Sequence, residues 1–292
     1  MNRSLAWGAT VTVADVTDVY DEAVSDCGGT PCVTFKGQKV KLQKRVETFK
    51  IGALGKVRAT KDIVFWDVPH HGPIIPRITA DHDVAALGAR ELSIRYTGDQ
   101  PTQEVRAVMA LNRATSVASA MAAIDRDFRV GGQNWVFADR DGHIGWDTHV
   151  DLPRRPAGVD PGKILPGDGS AEWAEAGVPA NEQPRAVDPS CGFLATANND
   201  PLGVTGGRPA TIYHGWDYDP GPRAGRITRR LQGAIGAGKK LTIEDLSDIQ
   251  ADHYSFMGTR LRDLVVDAGT ALLAERSTPG MAPELAEVLQ RI

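Results

Sequence analysis

The sequence predicts an α+β chain, β-rich over residues 1–221 and helical over 222–292. Three observations carry that prediction. Apolar, β-branched and aromatic residues alternate with polar ones through residues 4–80 and again through 134–150, the two-residue period of half-buried strands. The 31 Gly and 18 Pro among 292 residues supply many turns. Beyond residue 222 the apolar positions recur at helical spacing instead.

In order, Val11, Val13, Val16, Val19 and Tyr20 read as strand, from residue 4 onward. A turn follows at 26–31. Cys27 and Cys32 enclose its Gly28-Gly29-Thr30-Pro31, so it either closes a small disulfide loop or carries two free thiols at a hairpin tip. Val33-Thr34-Phe35 and Val40-Lys41-Leu42 flank Lys36-Gly37-Gln38 as a hairpin. The alternation continues through 46–50, 57–60 and 64–66, then reaches the turn His71-Gly72-Pro73. Residues 101–128 turn helical, with Val117, Met121 and Ile124 on one face. Asp139-Arg140-Asp141-Gly142 joins two further strand runs as a hairpin turn. Residues 151–192 are irregular and too long for an idle linker, so they pack on a core or line a site. Residues 193–196 read as a short strand before Asn198-Asn199-Asp200-Pro201. Pro222 opens a helix with Ile227 and Leu231, and Thr242 with Asp245 caps a second. A third carries Leu261, Leu264, Val265, Leu272 and Leu273.

Composition narrows the function. With 41% hydrophobic and 24% charged residues the chain folds rather than staying disordered. A net charge of −4 without a long Lys/Arg block argues against nucleic acid or an anionic membrane as main partner. The basic clusters Arg154-Arg155 and Arg226/Arg229/Arg230 read as solvated faces. No apolar run is long enough to span a bilayer, and Thr10 and Asp15 interrupt any signal-peptide core. The abrupt start and finish are those expected of an internal fragment.

Three polar constellations are candidates for chemistry. His143, Asp147 and His149 share one strand face but are spread too far along it to surround one ion. Asp15 and Asp18 either hold a hard cation or form an exposed acidic strand end. Asn198-Asn199 is either a plain turn or a place where one neutral amide donates into a cleft, as an oxyanion hole requires.

Several segments together resemble the penicillin acylase family, the N-terminal-nucleophile amidohydrolases. Asn2-Arg3-Ser4-Leu5-Ala6-Trp7-Gly8-Ala9-Thr10, running on to Asp15 through Tyr20, is similar to the family's core strand. His71-Gly72-Pro73 resembles its HGP turn, and 134–145 resembles its hairpin of Asn-Trp, Ala-Asp and Gly-x-Ile-Gly. Leu165-Pro166-Gly167-Asp168-Gly169 with Trp173 is similar to a downstream loop. Gly192 through Pro201 resembles the GFIATANNDP signature, and Tyr218 through Ile227 resembles a helix start.

The resemblance implies an αββα sandwich and cleavage of a small-molecule N-acyl amide by an autoproteolytically exposed N-terminal Ser whose own amine is the base. It implies that Asn198 and the backbone N–H at Val11 form the oxyanion hole and that Arg223 holds Asn198 and the loops. It implies a structural calcium ion on Asp15, the Thr17 carbonyl, Asp18 and the Pro161 carbonyl. It further implies a periplasmic or secreted enzyme of antibiotic or N-acyl compound metabolism. Ser4 lies inside the matched strand and is not the nucleophile. The nucleophile, the α-chain and the remainder of the β-chain are therefore expected outside these residues, leaving this chain inactive alone. The alternative is a non-catalytic remnant or structural module of the same fold.

Overall fold

A computed structural model describes residues 1–204, 212–275 and 282–291. The chain divides into two compact units, Met1–Tyr218 and Asp219–Ile292.

Among the described residues, the first unit holds twelve strands and three α-helices. In order they are β1 (Leu5–Val11), β2 (Thr17–Asp26), β3 (Pro31–Phe35), β4 (Gln38–Lys41), β5 (Gln43–Ala53), β6 (Lys56–Val68), β7 (Gly72–Pro73) and β8 (Arg90–Tyr96). Helices α1 (Glu104–Leu111) and α2 (Val117–Asp127) follow, then β9 (Gln133–Asp139), β10 (Ile144–Asp147), β11 (Leu165–Pro166), β12 (Arg185–Val187) and α3 (Pro201–Val204). Among the described residues, β1-β9-β10-β12 forms one sheet with β1 at its edge. A second sheet runs β11-β2-β3-β4, with β8 also on β2, and a third runs β5-β6-β7.

The helical reading of 101–128 resolves into two helices. Ser116 breaks them: its hydroxyl accepts from the Ser119 N–H and restarts the chain as a capping box. The faces of α1 and α2 that carry Ala107, Leu111, Val117, Met121 and Ile124 pack on Leu5, Trp135 and Phe137 of the first sheet. This is a helix layer on a sheet, as the sandwich expectation requires. Gly145 admits the contact, because a Cβ there would lie 2.3 Å from the Val117 side chain.

Both anticipated hairpins form. Lys36 and Gly37 join β3 to β4 with φ of 48° and 77°, the left-handed pair that suits a two-residue turn. β9 and β10 pair antiparallel around Gly142, with Ile144 opposite Ala138. Cys27 and Cys32 are joined as a disulfide at the β2–β3 turn. Residues 193–196, by contrast, form no assigned strand. They touch β1 through Thr196 Oγ1 and Thr10 Oγ1 at 3.2 Å.

The second unit is helical: α4 (Pro222–Gly236), α5 (Ile243–Gln250), α6 (Phe256–Glu275) and α7 (Ala282–Arg291). Pro222 sits in the first turn of α4 as expected. Thr242 and Asp245 make the capping box of α5. No helix among the described residues is long and apolar enough to cross a membrane.

Candidate active site

The site begins at the free edge of β1. The Thr12 N–H bonds the Gly132 carbonyl at 3.1 Å, which continues the β1–β9 register that sets Thr10 opposite Asn134. Antiparallel partners exchange bonds only at alternate residues. The Val11 N–H and carbonyl therefore take no part in the β1–β9 backbone ladder. Asn198 Nδ2 donates to that carbonyl at 2.7 Å. Asn134 Nδ2 donates to the same oxygen at 3.2 Å, as a carbonyl with two lone pairs allows. Trp146, fully buried, braces Asn134 in turn by donating Nε1–H to its Oδ1 at 3.0 Å.

The backbone explains why residue 198 is Asn. Its φ is 59°, in the left-handed region that Asn tolerates better than most side chains. Asn199 has a different task. Its Oδ1 accepts from the Ala197 N–H at 3.1 Å, and its Nδ2 donates to the Asp200 carbonyl at 3.2 Å. Asp200 then accepts from the Leu202 N–H at 2.9 Å, at the start of α3. The first Asn faces β1 and the second ties its own turn.

Residues 12–16 connect β1 to β2. Val13 has φ 54°, a left-handed conformation unusual for a β-branched residue. Surrounding contacts hold it there. The Asp15 N–H bonds the His214 carbonyl at 2.8 Å, and a Cβ on Gly215 would lie 2.6 Å from the Val13 carbonyl. His214 is buried and its Nδ1 meets the Tyr218 hydroxyl at 2.7 Å. Burial pushes the His214 pKa down to about 4, with Asp200 pulling weakly the other way, so this ring is neutral packing at ordinary pH.

Asp15 and Asp18 come together on Arg155. Arg155 donates Nε–H to Asp18 Oδ2 at 2.8 Å and Nη2–H to Asp18 Oδ1 at 3.0 Å. Nη2 also donates to the Asp15 carbonyl at 3.1 Å and lies 3.3 Å from Asp15 Oδ1. Trp173 Nε1–H donates to Asp18 Oδ2 at 2.5 Å, and the Tyr213 hydroxyl to Asp15 Oδ2 at 2.7 Å. The guanidinium also lies over the Tyr213 ring, 5.3 Å from its centroid. Its side chain is only 5% exposed, so the solvated-face reading of Arg155 does not hold. Pro161 lines a small cavity of about 150 Å³ with Arg155 and Tyr213. Thr97 N–H bonds the Val16 carbonyl, so by ladder parity the Thr17 carbonyl points away from β8. As folded, this donor set does not fit a calcium ion. Calcium takes six to eight oxygens, whereas here a guanidinium stands between the carboxylates and N–H and O–H groups cover their oxygens.

A second buried polar cluster lies further along β2. Alternate residues Asp18, Tyr20 and Glu22 form the buried stripe of this strand. His71 stacks on Tyr20 with ring centroids 3.7 Å apart. Its Nδ1 meets Glu22 Oε1 at 2.6 Å and its Nε2 meets Glu172 Oε1 at 2.7 Å. Burial lowers the His71 pKa, but the bonds to Glu172 and Glu22 outweigh it and the net direction is upward. Arg95 pairs with Glu172 at 3.1 Å and lies over the Trp173 ring at 4.2 Å. The network thus runs from Arg155 to His71 without a break. Glu22, His70 and His71 offer ligand atoms within 4.8 Å of one another. Both His71 nitrogens are nevertheless committed to carboxylates, so the trio is a charge cluster and not an open ligand set.

The candidates His143, Asp147 and His149 separate. His143 bonds Asp188 at 2.7 Å at the surface, Asp147 bonds Arg185 at 2.6 Å, and His149 meets Gln183 at 3.3 Å. The three do not converge. Arg223 belongs to the second unit, in the first turn of α4, where it pairs with Asp219 at 3.0 Å.

Comparison with known proteins places the chain in a family. A family model described as Penicillin amidase matches residues 1–291. The chain belongs to the penicillin amidase family. It is 28% identical over 290 residues to the acyl-homoserine lactone acylase QuiP of Pseudomonas aeruginosa, covering 93% of this chain and 31% of that protein. It is 25% identical over 204 residues to the penicillin G acylase of Escherichia coli, covering 68% of this chain and 22% of that protein. The chain therefore spans less than a third of the length of these relatives. A thermostable penicillin G acylase from Alcaligenes faecalis superposes with a TM-score of 0.69 at 22% identity, over 99% of this chain and 48% of that one. The chain accordingly has the α+β N-terminal-nucleophile hydrolase fold.

Proposed function

We propose that the whole protein is an amidohydrolase that cleaves an N-acyl amide, and that these residues supply its oxyanion hole. The observation that carries the reading is Asn198 Nδ2 on the Val11 carbonyl of the edge strand β1. That contact brings a neutral amide donor beside a strand-edge N–H, 187 residues away in sequence. Two such donors stabilise the charge that develops on a carbonyl oxygen during acyl transfer. Family membership supplies the reaction class, and the relatives' names span penicillin G and acyl-homoserine lactone acylases. The nucleophilic Ser and its amine base are proposed to come from the part of the protein outside these 292 residues. A periplasmic or secreted location is proposed with it, since the Cys27–Cys32 disulfide suits an oxidising compartment.

The test is Asn198→Gly in the full-length protein. Glycine keeps the left-handed backbone and removes only the amide. Loss of one oxyanion donor lowers kcat by about 10²–10³, while KM changes much less because the ground-state carbonyl carries little charge. A kcat within a few-fold of wild type would remove Asn198 from the reaction.

A further inference from the structure

We infer that the Arg155 guanidinium occupies, as a permanent internal cation, the place that the family resemblance assigns to calcium. The proposal is independent of the oxyanion-hole reading. It rests on the completeness of the partners around Asp15 and Asp18. Asp18, 2% exposed, gives both oxygens to Arg155 and one of them also to the Trp173 indole. Asp15 gives Oδ2 to the Tyr213 hydroxyl and holds Oδ1 and its carbonyl against the same guanidinium nitrogen. A divalent ion would have to displace a guanidinium that is itself buried, bidentate on one carboxylate and linked to the other. The mutual repulsion of the two charges opposes co-occupancy at such separations.

The arrangement also explains where these side chains come from. Arg155 ends the Pro153-Arg154-Arg155 segment, Trp173 lies on the irregular stretch after β11, and Tyr213 follows α3. The clamp therefore pins three loops to the connection between β1 and β2. That connection begins one residue after Val11, and Arg155 grips it directly through the Asp15 carbonyl. Arg155 is thus a positioning residue for the edge of β1.

The experiment compares calcium chloride with EDTA on the full-length protein, read by thermal melting and by terbium luminescence. Terbium bound here would be sensitised by Trp173 and Tyr213. Wild type is expected to melt within about 1 °C in the two buffers, on a scale where 1 kcal/mol moves Tm by several degrees. It is also expected to give no saturable terbium signal that depends on Asp18. Arg155→Gln leaves two facing carboxylates without their cation, so its Tm falls and calcium restores part of the loss. If Arg155→Gln does not fold, the wild-type titration alongside Asp18→Asn still decides the matter. A calcium-induced rise in wild-type Tm, or a terbium signal, that disappears in Asp18→Asn would overturn the proposal. So would an Arg155→Gln variant as stable as wild type in EDTA.

Discussion

Asn198 and Asn199 are adjacent and chemically identical, yet the backbone assigns them opposite work. The left-handed φ at 198 turns that amide onto the Val11 carbonyl, whereas Asn199 closes hydrogen bonds with Ala197 and Asp200. Asn199→Ala in the full-length protein should therefore cost stability and spare the reaction. Losing local turn bonds of this kind destabilises by about 1 kcal/mol, seen as a Tm drop of a few degrees with kcat kept within a few-fold. A kcat loss larger than that of Asn198→Gly would mean that the roles are reversed. The motif exposes the Asn pair to a reader of the sequence, because Gly192 through Pro201 is distinctive. Arg155 is hidden from the same reader: it stands 137 residues from Asp18, beside another Arg and between prolines. Local composition marks such a residue as surface, and only the fold supplies its two carboxylates. Asn134 is missed for a related reason. Its neighbours Trp135 and Phe137 announce a strand, while its contact with the Val11 carbonyl depends on the β1–β9 register.

At the scale of the element, β2 shows how far periodicity reaches. Alternation identifies it as a strand and places Asp18, Tyr20 and Glu22 on one side. Pattern reasoning would put such acidic residues toward water. Here they face inward, because His71, Arg95, Arg155 and Glu172 arrive from other segments to meet them. The pH dependence of this strand follows from the two shifted groups. His71 is held above its ordinary value, so its contribution is complete below about pH 6.5 and is lost as pH rises through the folded value. Burial pushes Glu172 up, but the His71 bond and nearby positive charge reverse the direction. Its contribution is present above about pH 4.3 and fades as pH falls through its lowered folded value. The comparison of wild type with His71→Gln should show a stability gap of about 3 kcal/mol near pH 6, as for a broken buried ion pair. The gap should narrow steadily toward alkaline pH. Urea melts of both proteins at several pH values check this, and a gap that widens with pH would exclude a charged His71.

Across the whole molecule, the first unit holds the complete path from the β1 edge to the Arg155 clamp, since Val11, Asn198, Asp15, Asp18, Arg155 and Tyr213 all lie within Met1–Tyr218. The period of the apolar residues changes near residue 222, and the two compact units divide between Tyr218 and Asp219. The partition of strands among three sheets was not legible in the sequence, because the pairings β1–β9 and β2–β8 join segments separated by more than a hundred and about seventy residues. That geometry leads to a last expectation about activity. Donors at an oxyanion hole stabilise charge but do not form an acyl-enzyme, which takes a nucleophile with a base in reach. Two hydroxyls beside the β1 edge, those of Thr10 and Thr196, bond each other at 3.2 Å. Neither Val11 nor Asn198 offers a nucleophile. The purified 292-residue chain should therefore leave a phenylacetyl or fatty-acyl anilide unhydrolysed above the buffer blank. Adding the remainder of the protein in trans should restore turnover in the wild type and much less in Asn198→Gly. Turnover by the isolated chain would place a nucleophile among these residues and require the proposed division of labour to be redrawn.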